Sequence, residues 1–174
     1  VKESGAQKLK AVASRKEVLL GTNQYPNVTE TMKDAIEETA KACCGTSCSE
    51  GAEVETILPF RAAAEFEALR LATENAAKRP KTFMLTYGNL AMRLARSQFS
   101  GNFCGCAGYE IVDNLGFNTV EEGVEAAVKA GADIVVLCSS DEEYAEAAPA
   151  AFKALNGRAI FVVAGAPACM DDLK

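Results

Sequence analysis

Three short apolar runs constrain this chain more than anything else in it: Lys81–Tyr87 (KTFMLTY), Ala132–Cys138 (ADIVVLC) and Arg158–Ala164 (RAIFVVA). From Ile134 onward the second run has no polar break, the pattern of a strand buried on both faces. The third reads as a buried strand too, closed by Gly165 and Pro167, and the first ends at Gly88. Helix signals fill the gaps. Asn89 is placed to cap a helix whose apolar face is expected to be Leu90, Leu94, Ala95 and Phe99. The glycine- and cysteine-rich stretch from Gly101 to Gly108 should end that helix, and Tyr109–Asp113 (YEIVD) reads as a short strand. Thr119 and Glu122 form a capping box before a helix with Val120, Val124, Ala127 and Val128 on one face. That helix stops at Ala130-Gly131, where glycine suits the left-handed position after the last turn. Ser140 and Glu143 form a second box, and the helix they open runs to Leu155, with Pro149 expected to kink it and Asn156-Gly157 to end it. Regular alternation of strand and helix predicts an α/β parallel sheet with helices on both faces.

The first half is less regular. Val18–Leu20 is a short apolar piece ended by a polar turn, and Asn27 with Glu30 is placed to cap a helix through Ala42. Thr46 to Glu53 reads as a loop, and Arg61–Thr73 as a helix with Phe60, Ala64, Leu69 and Leu71 as buried candidates. With 18 basic and 24 acidic residues the chain carries a formal charge of −6, which argues against a nucleic-acid partner. The longest apolar run, Ala159 to Met170, is too short to span a bilayer. No basic start followed by an apolar stretch is visible, so Asn27-Val28-Thr29 has no secretory context as a glycosylation acceptor. Seven cysteines in such a chain are expected to be reduced thiols of a cytoplasmic protein. The chain opens on Val1 mid-pattern and closes on Asp171-Asp172-Leu173-Lys174, which predicts a piece of a longer protein.

The order of "VLLGTNQYPN" (18–27), a charged helix, "RPKTFMLTYG" (79–88), "LCSSDEEYAE" (137–146) and "VVAGAP" (162–167) resembles the methylmalonyl-CoA mutase family. Within it, the likeness is to the small subunit of the heterodimeric bacterial enzymes. The resemblance implies a flavodoxin-like, cobalamin-binding-type domain at 80–174, itself truncated, after a mainly helical segment at 1–79 that links barrel and C-terminal domain in the full chain. It also implies a large catalytic partner subunit that carries the barrel and the cobalamin, with this chain binding neither cofactor nor metal and catalysing nothing. The family's hallmark is Asp-x-His-x-x-Gly, whose histidine ligates cobalt while the aspartate orients it. Here Leu90, Met92 and Ala95 stand at those three positions, residues suited to the buried face of a helix. The chain has no histidine at all. Ser139 and Ser140 stand where the family lines the cofactor's nucleotide tail, with helix capping the preferred reading for Ser140. Gly165 is kept, while Ala164 replaces a second glycine.

Three other readings compete. Cys43-Cys44-Gly45-Thr46-Ser47-Cys48 and Cys104-Gly105-Cys106 suggest a redox or metal module, although neither spacing matches a structural zinc site. Cys104 and Cys106 are placed at a surface-prone position and Cys138 in the core. A domain that still holds cobalamin without a histidine ligand is the second alternative. A receiver-like domain is the third, weakened because Asp113 is its one acid at a strand end. The preferred expectation is structural: a non-catalytic subunit supporting a homologous catalytic chain. A catalytic barrel needs roughly 200 residues or more, so this sequence does not contain one.

Overall fold

The computed structural model describes residues 2–33 and 61–173. Helix α1 (Lys2–Ala13), which the sequence reading did not anticipate, precedes a run of turns through Lys33. Helix α2 (Ala64–Asn75) leads into the sheet. From there strands and helices alternate: β1 (Lys81–Thr86), α3 (Leu90–Cys106), β2 (Glu110–Val112), α4 (Val120–Lys129), β3 (Ile134–Cys138), α5 (Tyr144–Leu155) and β4 (Ile160–Val163). A single 3-10 segment, Ala168–Leu173, follows. The strands lie in the order β2-β1-β3-β4 and every pairing is parallel. This is an α/β sheet of the flavodoxin-like type.

The two faces of the sheet are covered differently. Phe83, Leu85, Val135 and Leu137 point to one face, where α4 and α5 bury Val124, Ala127, Ala151 and Leu155 against them. Each fully buried Val, Leu or Phe side chain among them contributes about 1.5–3 kcal/mol by leaving water. Met84, Val136 and Cys138 point to the opposite face, the one α3 covers. Thr119 caps α4 through a hydrogen bond from the Glu122 amide at 3.2 Å. Asn156 ends α5 in the left-handed conformation, with φ of 47°.

Helix α3 ends at Cys106, inside the glycine- and cysteine-rich stretch expected to end it. Four expectations need correction. The sheet-facing side of α3 is Ser97, Ser100, Gly101 and Cys104, with Gly105 turned to Pro26 and Val28, and the expected apolar face of Leu90, Leu94, Ala95 and Phe99 is exposed. Small residues spaced along one side let the helix lie close to the sheet: a Cβ on Gly101 would sit 3.5 Å from the Ile111 side chain. In α2, Ala64 and Leu69 are exposed, whereas Arg70 and Thr73 are buried. Strand β4 is an edge strand with Ile160 and Val162 exposed, not a strand buried on both faces. The residues from Asn27 to Lys33 form turns rather than the start of a helix, held by Asn27 Oδ1 accepting from the Thr29 amide at 3.1 Å. The rest of the helix expected through Ala42, the loop expected from Thr46 to Glu53 and Phe60 lie outside the described residues.

Candidate functional site

In an open parallel sheet, ligands bind beyond the carboxyl ends of the strands, at the point where the strand order reverses. Here that point lies between β1 and β3. Its walls are Tyr87-Gly88-Asn89 after β1, Ser139-Ser140 after β3 and Ala164-Gly165 after β4.

Two side chains of the protein itself fill this end. Glu143, half-buried just before α5, turns its carboxylate back toward β1. It accepts from the Ser140 amide at 3.0 Å, the Ser140 hydroxyl at 2.8 Å, the Ser139 hydroxyl and the Asn89 amide at 3.1 Å. Gly88 makes room for it: φ is +72° there, and a Cβ would collide with the Glu143 carboxylate. Burial alone would raise the Glu143 carboxyl, but the donors Ser139, Ser140 and Asn89 outweigh it and hold it at about 2. The expected Ser140–Glu143 capping box is therefore half-formed: Glu143 reaches back, while the Ser140 hydroxyl donates to the carboxylate.

Arg96, on α3, fills the second position. Its guanidinium donates to the Ser139 carbonyl, pairs with Asp141 at 2.7 Å and lies 5.0 Å from the centre of the Tyr144 ring. It also stands against Gly165, where a Cβ would come within 3.4 Å of it. Tyr144 is fully buried and ties the strand ends together: its hydroxyl accepts from the Ser139 amide at 3.1 Å and donates to the Ala164 carbonyl at 2.7 Å. Burial raises the Tyr144 hydroxyl despite these bonds.

The positions singled out by sequence thus divide. Ser139, Ser140 and Gly165 come together at this end, around Glu143 and Arg96. Leu90, Met92 and Ala95 lie in the first two turns of α3: Leu90 is 59% exposed, Met92 is 38% exposed and Ala95 is exposed. Asn89 caps that helix, its Oδ1 accepting from the Met92 amide at 3.1 Å. Asp113 accepts from the buried Ser97 hydroxyl at 2.9 Å.

The chain has no histidine, so it offers cobalt no imidazole as a lower ligand. The ground between the ends of β3 and β4 is crossed by Arg96. The arrangement also lacks the makings of a nucleophile: the Ser139 and Ser140 hydroxyls donate to a carboxylate that is too weak a base to activate them. Sequence reading missed Arg96 and Tyr144. The signal was present in Glu143, whose capping partner was identified while its reach to Asn89 was not.

The cysteines are also accounted for in part. Cys106 and Cys138 are buried, Cys104 and Cys169 are half-buried, and all four are free thiols. The expectation of a surface position for Cys104 and Cys106 is corrected, because α3 continues through both. Burial raises the Cys104 and Cys106 thiols and pushes Cys138 up to about 12. Cys43, Cys44 and Cys48 lie outside the described residues. Among the described residues no group of three or more His, Cys, Asp or Glu side chains is placed to hold a metal ion. No helix among them is long and apolar enough to cross a membrane.

Fold and site together define a flavodoxin-like α/β domain whose ligand end is filled by its own arginine and glutamate. No family model matches the chain. Over all 174 residues it is 61% identical to the methylmalonyl-CoA mutase small subunit of Porphyromonas gingivalis. Over 151 residues, 87% of this chain, it is 31% identical to the methylmalonyl-CoA mutase small subunit of Streptomyces virginiae. A probable methylmalonyl-CoA mutase small subunit of Mycobacterium tuberculosis is 27% identical over 83% of the chain. The chain spans 28% of the Porphyromonas protein's length, 23% of the Streptomyces protein's and 21% of the Mycobacterium protein's. Over the span it covers, the chain belongs to the methylmalonyl-CoA mutase small subunits.

Proposed function

We propose that this chain is part of the non-catalytic small subunit of a heterodimeric, adenosylcobalamin-dependent methylmalonyl-CoA mutase in the cytoplasm. The homologous large subunit binds the cobalamin and interconverts methylmalonyl-CoA and succinyl-CoA. Residues 1–79 belong to the linker between barrel and C-terminal domain, and 80–174 to a degenerate cobalamin-type domain. The small subunit stabilises its partner through a subunit interface, and obligate interfaces of this kind are often large.

One observation carries this reading: the ligand end of the sheet is packed with Arg96 and Glu143, in a chain without a histidine. The names of the relatives supply the subunit and the reaction. Two measurements test it. The full-length small subunit, purified alone, gives no saturable visible-band shift with cobalamin and no mutase turnover. Co-expressed with the large subunit, it co-purifies with it, and turnover follows the complex. Saturable cobalamin binding or turnover by the small subunit alone overturns the proposal.

A further inference from the structure

The end of the sheet opposite Arg96 and Glu143 is open where theirs is filled. A cleft of about 250 Å³ lies there, at the start of β3 and between the turns that follow α4 and α5. Val128, Ala132 and Ala159 form its apolar walls, each still partly open to water. Gly131 lines it as well. Its φ is +67°, and nothing lies within 4 Å of where a Cβ would stand, so this side of the cleft has no lid.

Two cations and one carboxylate line the same cleft: Lys78, Arg158 and Asp133. Both oxygens of Asp133 are already engaged, Oδ1 accepting from Lys78 Nζ at 2.6 Å and Oδ2 from the Lys81 amide at 3.0 Å. Lys78 uses one of its three N–H groups in that bond, so two remain. Arg158 donates from Nε to the Leu155 carbonyl at 3.0 Å and from Nη2 to the Ala154 carbonyl at 2.6 Å. These bonds hold the guanidinium against the last turn of α5 and leave Nη1 without a partner among the described residues. The unused groups at the cleft are therefore donors carried on cations. A carboxylate is the partner that such donors bind in short, charge-assisted bonds.

We propose that this cleft binds a small organic carboxylate with an apolar body. The body lies against Val128, Ala132 and Ala159, and Lys78 and Arg158 bond the carboxylate. Volume sets the size. At about 30 Å³ for each water, a cleft of about 250 Å³ holds roughly eight, so the ligand has about that many non-hydrogen atoms. That is smaller than the molecules which fill a drug-sized pocket. The cleft shares no residue with the Arg96 and Glu143 end, and its ligand does not depend on the role of the subunit.

The test uses the full-length chain and isovalerate, a branched carboxylate of about this size. Saturation-transfer NMR reads the isovalerate methyl signals, which gain saturation when the ligand touches the protein. Saturable transfer at millimolar isovalerate is expected. Binding should be about tenfold or more weaker for isovaleramide, which has the same shape and no charge. It should be about tenfold or more weaker for isovalerate on the double variant Lys78→Gln, Arg158→Gln. Both positions are exposed, so the variant keeps the fold, and the comparison of acid with amide needs no variant. Absence of saturable transfer from the parent, equal affinity for the amide, or unchanged affinity in the double variant overturns the proposal.

Discussion

The guanidinium of Arg96 lies 5.0 Å from the centre of the Tyr144 ring while donating to the Ser139 carbonyl. Tyr144 in turn donates to the Ala164 carbonyl at 2.7 Å. One cation and one phenol thus close the end of the sheet between β3 and β4. Burial acts to lower the Arg96 pKa, but Asp141 and Tyr144 outweigh it and raise it, so the plug stays charged.

Arg96→Ala removes the ring contact and leaves the Ser139 carbonyl without this donor. A cost of about 1–3 kcal/mol is expected. Arg96→Lys should recover less than half, because an ammonium cannot both stack on the ring and fork between Ser139 and Asp141. Urea unfolding of the three proteins measures this. Equal midpoints for Arg96→Ala and the parent would show that the plug contributes nothing to stability.

Glu143 makes the fold acid-sensitive. Its folded pKa, about 2, lies below the ordinary value of 4.5. The stability it supplies is therefore fully present above about pH 5 and is lost as pH falls through about 2. The group is only half-buried, so solvent screening reduces the contribution to about 1–2 kcal/mol. Glu143→Gln should lower stability at pH 7 by that amount and flatten the stability profile between about pH 5 and 2. Parallel profiles for the variant and the parent would contradict this assignment.

The sheet was legible because its strands are written in continuous apolar runs and its α4 boundary in a capping box, signals that depend on near neighbours. The outer face of α3 was not. Reading apolar residues as buried assigned Leu90, Leu94 and Phe99 to the sheet, yet the contact side is a row of small residues at 97, 100, 101 and 104. That spacing marks one helix face as clearly as a row of leucines does. Apolarity alone identifies a face that avoids water; it does not say which body covers it. The plug was hidden for a different reason. Arg96 lies 43 residues from Ser139 in the chain, and no local pattern joins them. Similarly, Arg70 looked like one more surface charge on α2.

Arg70 is instead a buried clamp. It donates to the Asn27 carbonyl at 3.0 Å and the Glu30 carbonyl at 3.3 Å, fastening the turns before Lys33 onto α2. Arg70→Ala leaves both carbonyls short of a donor and removes the buried stem, for an expected loss of about 2–3 kcal/mol. Limited proteolysis between Tyr25 and Lys33 should speed up about tenfold or more. Cleavage there at the parent's rate would mean that other contacts hold the segment.

Restoring the family hallmark should not restore chemistry. The triple substitution Leu90→Asp, Met92→His and Ala95→Gly puts the three missing residues at exposed positions in the first turns of α3, while Arg96 and Glu143 still occupy the end of the sheet. The change should be tolerated. Glycine at exposed position 95 costs about 1 kcal/mol, and an aspartate in the first turn offsets about 0.3–1 kcal/mol of it. The expected result is a folded full-length chain with no mutase turnover when purified alone. Turnover by that variant would show that the hallmark residues alone suffice, and that the arginine and glutamate yield to the cofactor.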